Sequence, residues 1–265
     1  MSAIERATPA QKTRRTAVLI AALFAVGVPL IQALTGFGLS QAEFAAQGDS
    51  TLQVAGFAFS IWGLIYLGLL IYAGRQALPQ TAESVLVNHL SWPSVVSLVG
   101  IGLWIIAAAL DQKWASVLII FVALVALLVP LLLNARRIRT TGLSEPDRWF
   151  VIWPLSALAG WLTIAAPLNL LTTATAVDAL PPALSPTGWA IAAVILVLLV
   201  GLGVTWALRT LFYPLPIAWG LVGAFVAEQA RNPSLGFTAL AAAFALVIGA
   251  VILTFGLRRT IVRER

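Results

Sequence analysis

Long apolar runs, parted by short polar clusters, recur along the whole chain. A helix crossing the hydrocarbon of a bilayer needs about 20 mostly apolar residues at 1.5 Å rise each. By that measure the runs 17–38, 54–74, 92–110, 114–133, 150–171, 188–208, 211–228 and 235–257 each predict a spanning helix. The period-two alternation of barrel strands is not visible, and backbone polar groups in lipid must be satisfied internally. The pattern therefore predicts an all-α integral membrane protein, a polytopic helical bundle of eight transmembrane helices. The sixth and seventh runs are the weakest division, because only Arg209 and Thr210 part them. Pro214 and Pro216 follow, and proline is tolerated in a helix's first turn. Seven helices, with one of this pair re-entrant, is the alternative count.

The basic residues gather at the ends of these runs, which reports orientation rather than nucleic-acid binding. With the N-terminus inside, 14 of the 16 Lys and Arg residues fall on the inner side; only Lys113 and Arg231 fall outside. The expectation is a multi-pass protein of the cell inner membrane with both termini cytoplasmic. It begins with a basic segment at 1–16 (Arg6, Lys12, Arg14, Arg15) and ends in a basic tail at 258–265 (Arg258, Arg259, Arg263, Arg265). No small-residue cleavage site follows the first run, so it reads as a retained helix.

Composition narrows the chemistry. Hydrophobic residues make up 60% and charged residues 10%, where a soluble domain has about a quarter charged. Cysteine is absent and histidine occurs once, at His89, so no disulfide, thiolate nucleophile or multi-histidine metal site can form within one chain. There is no G-x-S-x-G, H-E-x-x-H or Walker-type loop, and no embedded carboxylate pair for acid–base work. No catalytic residue, metal site or obligatory cofactor is expected, and the protein is not expected to be an enzyme. The partners expected are the lipid bilayer and a hydrophobic small molecule. Small residues of the last run (Gly236, Ala239, Ala242, Gly249) permit close packing, within the chain or in a homodimer.

Ten tryptophans stand out. Trp92, Trp114, Trp149 and Trp189 begin helices and fit an interfacial belt. Trp62, Trp104, Trp161 and Trp219 lie near mid-run, where an indole needs a partner for its N–H or a cavity to line. Asn169 follows Trp161 by eight residues, which leaves both on broadly one helix face. Thr163 can bond its own helix backbone. Asp111 with Lys113 reads as a solvated turn, Glu228 with Gln229 as a solvated loop, and His89 as a residue that caps or anchors the third helix.

The stretch Phe59-Ser60-Ile61-Trp62-Gly63-Leu64-Ile65-Tyr66 resembles the second helix of the tryptophan-rich sensory protein family, also called translocator or TspO/MBR proteins. Trp153-Pro154-Leu155, with Trp161 through Ala165 to Leu168-Asn169, is similar to that family's fifth helix. The resemblance covers residues 17–175 and implies a five-helix bundle there, with about three additional helices in 176–257. It also implies an aromatic-lined pocket and a tetrapyrrole ligand such as haem or protoporphyrin. Phe59, Trp62, Tyr66, Trp161 and Asn169 match its motif positions, and Trp104 joins them by its depth. Two features depart from the family pattern: no asparagine precedes Trp104, and the first loop, 39–53, lacks tryptophan and proline. The expected function is a membrane-embedded binding protein or sensor for a flat hydrophobic ligand, with transfer across or within the membrane. The alternative is a secondary carrier of a small or lipid-like solute, with Pro214, Pro216 and Glu228 supplying a moving gate.

Overall fold

The computed structural model of the protein describes residues 8–77 and 84–256; Arg6 and the predicted basic tail at 258–265 lie outside them. Among the described residues the architecture is helical, without strands. The helices are α1 (Pro9–Thr35), α2 (Gln41–Ala46), α3 (Ile61–Ala77), α4 (Val85–Ala109), α5 (Lys113–Leu133), α6 (Ala135–Thr140), α7 (Trp153–Ala176), α8 (Pro186–Leu208), α9 (Pro214–Glu228) and α10 (Pro233–Val251). A 3-10 turn, Gly56–Ser60, leads into α3, and a π turn, Arg148–Ile152, leads into α7.

The apolar runs become helices because nothing else in lipid satisfies their backbone, and the polar residues between them supply the caps. Thr8, Ser84, Ser185 and Asn232 each accept a backbone N–H from the first turn of α1, α4, α8 and α10. Proline occupies the opening turn of α8, α9 and α10, where its missing N–H costs nothing. Gly36, at φ +64°, ends α1.

α1, α4, α5, α7 and α3 pack in that order into a closed ring. α8 and α9 pack against α7, and α10 lies on α8 and α9. The ring has two chemically distinct ends. At the arginine end, Arg75 pairs with Asp147 at 3.2 Å, and Arg148 donates to the carbonyls of Ile138 (2.8 Å), Thr141 and Arg209 (both 3.3 Å). At the loop end, Leu39 N donates to the Ala109 carbonyl at 3.0 Å and the Thr51 and Thr175 hydroxyls share a 2.7 Å hydrogen bond.

Seven helical spans are long and apolar enough to cross a membrane, so the chain is a multi-pass membrane protein. The expected eighth, α9, is present but shorter than the others. α9 has 15 residues, about 22 Å, against a hydrocarbon layer of about 30 Å. Its run is shortened because residues 209–213 leave the helix at Arg209, which takes a left-handed φ of 50°. The chain then turns into the protein, where the fully buried Tyr213 shares a 2.8 Å hydrogen bond with Thr163. α9 still joins the two ends: Arg209 meets Arg148, and Glu228 meets Gln53 beside the Thr51–Thr175 pair. The described chain therefore begins and ends at the arginine end.

The other differences are local. α4 starts at Val85 rather than at 92, so His89 lies inside its first turns and bonds Asn134 at 2.8 Å. α2 and α6 are short helices inside polar stretches that carry no spanning signal. Trp114 and Trp149 are about half exposed at the starts of their spans, and Trp92, equally exposed, lies two turns into α4; all three suit an interfacial belt.

At the junction of α7 with the 209–213 turn the two backbones approach closely. A Cβ on Gly160 would lie 1.9 Å from the Tyr213 carbonyl oxygen. Gly160→Ala is expected to force α7 from this turn and cost at least about 2 kcal/mol. Gly203→Ala on α8, where a Cβ meets nothing within 4 Å, is expected to be neutral or stabilising by up to about 1 kcal/mol. Reversible unfolding in mixed micelles measures both.

Candidate ligand-binding site

The interior face of α3 is set by helical spacing: Trp62, Ile65, Leu69, Tyr72 and Gln76 are all buried. That face turns Trp62 into the ring at the loop end, where α4 brings Trp104 and α7 brings Trp161 and Asn169. With Phe59, these five predicted residues line one space of about 30 Å³. Its other walls include Gln41 and Phe44 of α2, Ile120 of α5, Thr172 of α7 and Gly220 of α9. The three tryptophans line the same space, with aromatic rings set edge to face. Trp161 meets Trp62 at 6.0 Å and 79°, and Phe59 at 6.3 Å and 82°; Phe44 meets Trp104 at 6.5 Å and 82°.

Tyr66 takes a different part. It lies one turn after Trp62 and stacks on it at 5.1 Å and 18°, outside the cavity lining. It backs the wall rather than forming it. Asn169 lines the cavity, but its amide donates to Ser116 Oγ on α5 at 3.0 Å. Trp219, predicted at mid-run, is 38% exposed and donates its N–H to the Ala58 carbonyl at 2.9 Å. Gln41, Phe44, Ile120, Thr172 and Gly220 carried no site signal in the reading of the sequence. The one available was Ser40-x-x-Glu43, a capping box that folds α2 over the site. Backbone and hydroxyl hydrogen bonds from Ser40 hold the Glu43 carboxyl below its ordinary range.

The polar content of the cavity wall is unusual. Trp62 Nε1, Trp104 Nε1, Thr172 Oγ1 and Gln41 Oε1 are buried there without a hydrogen-bond partner. Each such group costs about 1–3 kcal/mol until something pairs with it. The wall thus offers flat aromatic surface, two indole donors, a hydroxyl and an amide oxygen. Those groups match a flat ligand with hydrogen-bond acceptors, but the space does not. A cavity of about 150 Å³ is what admits benzene, so anything larger than a few waters requires the walls to part. The single imidazole bonds Asn134 at the arginine end, so this cavity offers no histidine to a metal.

One wall includes a strap, residues 49–60, held against α9. Gln53 N donates to Glu228 Oε1 at 2.6 Å, and Ala55 N to the Gly223 carbonyl at 3.0 Å. Trp219 donates to Ala58, Phe57 sits edge-on to Trp219 at 5.4 Å, and Arg231 donates to the Asp49 carbonyl. Gly223 allows this approach, since a Cβ there would lie 2.6 Å from that of Ala58. The expectation of a solvated Glu228 is therefore corrected: it is 1% exposed and ties the strap to α9. The strap supplies Val54 and Phe59 to the cavity, and α9 supplies Gly220.

A family model described as TSPO-like protein matches residues 15–252. The match continues past the five-helix ring through α8, α9 and most of α10, further than the 17–175 the motifs indicated. No curated protein and no solved structure matches the chain.

Glu228→Leu should leave the Gln53 N–H buried without an acceptor, at a cost of about 1–3 kcal/mol. Amide exchange across 49–60 is expected to accelerate in that variant. Glu228→Gln, which keeps an acceptor oxygen, is expected to retain most of the protection; equal acceleration in both would show that the carboxylate's charge, not its hydrogen bond, holds the strap.

Proposed function

The chain belongs to the TSPO-like protein family, and from that membership and its aromatic cavity we propose that it binds a flat hydrophobic molecule, a tetrapyrrole in the first instance. The observation that carries the proposal is the pair of buried, unpartnered indole N–H groups of Trp62 and Trp104 on one cavity wall. Helix packing alone does not require two unsatisfied donors at one place. A ligand with acceptor atoms at its edge removes the cost of both while its ring lies against aromatic surface. Protoporphyrin has that form: a flat apolar ring with carboxylates along one side.

Entry proceeds through the loop end. The strap and α2 separate from the ring, Phe44 withdraws from Trp104, and the space widens between the tryptophans. The same motion serves binding for sensing or for transfer within the membrane, and it needs no catalytic group. Fourteen basic residues on one predicted side support an inner-membrane orientation with the arginine end, and both termini, in the cytoplasm. In that orientation the cavity opens toward the outer face.

The test is a tryptophan-fluorescence titration of the purified protein with protoporphyrin IX, with a soluble dye as inner-filter control. Saturable quenching is expected in the wild type. Loss of one indole donor in Trp62→Phe or Trp104→Phe is expected to weaken binding about fivefold, the equivalent of about 1 kcal/mol. Linear, non-saturating quenching, the same in all three proteins, would remove the tetrapyrrole reading.

A further inference from the structure

A second unsatisfied group lies at the opposite end of the ring. Arg14 of α1 is only 8% exposed, yet its Nε and Nη2 are buried without a hydrogen-bond partner. Arg15 beside it carries the same charge, and the polar groups around Tyr72 are neutral and bonded to one another. Tyr72, within electrostatic reach, shares its hydroxyl with Ser94 at 2.7 Å, and Ser91 donates to Gln76 at 2.9 Å. The described carboxylates at this end are engaged elsewhere. Asp147 takes Arg75 and Ser84, and Glu145 accepts from Gly142 N at 3.0 Å. Arg15, the next residue, also has its Nε and Nη2 buried and unpartnered. A guanidinium cannot shed its charge, and an uncompensated buried one is strongly unfavourable. The site calls for an anion from outside the described chain.

Depth identifies the anion. From Arg14 to Thr35, at the loop end of α1, the helix rises about 31 Å at 1.5 Å per residue. That equals the hydrocarbon thickness of about 30 Å and brings Arg14 to the layer of lipid phosphates. Trp92, beside Ser91 on α4 and 52% exposed, marks the same level as an interfacial residue. We propose that Arg14 binds the phosphate of an anionic phospholipid from the leaflet at the arginine end. A planar guanidinium engages two phosphate oxygens at once, and the neighbouring Arg15 adds field of the same sign. The site is independent of the cavity and does not rest on its ligand.

Native mass spectrometry of the detergent-purified protein, supplied with phosphatidylglycerol, phosphatidylcholine or inorganic phosphate, tests the proposal. The wild type is expected to retain phosphatidylglycerol over phosphatidylcholine. Arg14→Gln is expected to lose that retention at least fivefold, and Arg14→Lys, with charge but no fork, two- to threefold. Arg136→Gln, at an exposed arginine of the same end, is expected to change nothing. Melting curves guard against a folding defect: phosphatidylglycerol should raise the melting temperature of the wild type but not of Arg14→Gln. Equal retention in the wild type and both Arg14 variants overturns the site. Inorganic phosphate that displaces the lipid and stabilises equally well overturns the lipid assignment in favour of a free anion.

Discussion

In a bilayer a backbone or side-chain polar group has no water to fall back on, so each must find its partner inside the protein. That constraint selects helices for every apolar run here, and it dictates what happens between them. Ser84, Ser185 and Asn232 close helix starts. Arg148 satisfies three carbonyls at once, on Ile138, Thr141 and Arg209, and so ties the α6 region, α7 and the end of α8 into one knot. Where the rule is met, the protein is a scaffold. Among the buried groups where it is not met are the two indoles of the cavity wall and the guanidinium of Arg14.

Much of this was legible from the chain. Apolar length located the helices because lipid demands length, and depth along each run brought out Trp62, Trp104 and Trp161 because a central indole has to answer for its N–H. What stayed hidden depends on tertiary geometry. Tyr66 matches a family motif, but one turn of helix past Trp62 leaves it stacked behind that ring. Glu228 sits among polar loop residues, and only the return of α9 to the loop end brings Gln53 to it. α9 itself reads as a full span by composition, yet Pro214 begins it only after the Arg209–Tyr213 turn has consumed part of the run. α2 was hidden for a different reason: six residues carry no spanning signal, and a capping box is a local feature that says nothing about what the helix covers.

The C-terminal helices acquire a role from the same geometry. α9 contributes Gly220 to the cavity and holds the strap that contributes Phe59 and Val54. The five-helix ring alone holds residues 49–60 through Thr51 on Thr175 and Phe59 on Trp161. With α9 in place, those residues gain four anchors on one neighbouring segment: Glu228, Gly223, Trp219 and Arg231. α10 packs on α8 and α9, and Gly249 lies against Leu202 in that packing, so the outer layer braces the element that braces the site. The match of one family model to residues 15–252 agrees with a unit in which ring and brace belong together.

The unsatisfied groups of the cavity wall and those of Arg14 and Arg15 differ in kind. At the loop end they are neutral: two indole donors, a hydroxyl and an amide oxygen around a small space. Neutral groups can wait unpaired at moderate cost, so a cavity of this kind can shut when empty and open when a ligand arrives. At the arginine end the group is a permanent cation. Its burial cost is too large to be left standing while the protein waits, so its partner has to be one that is always present. A membrane supplies such a partner in the phosphates of its own lipids. Under the two proposals, the loop end takes a ligand that comes and goes, and the arginine end one that stays.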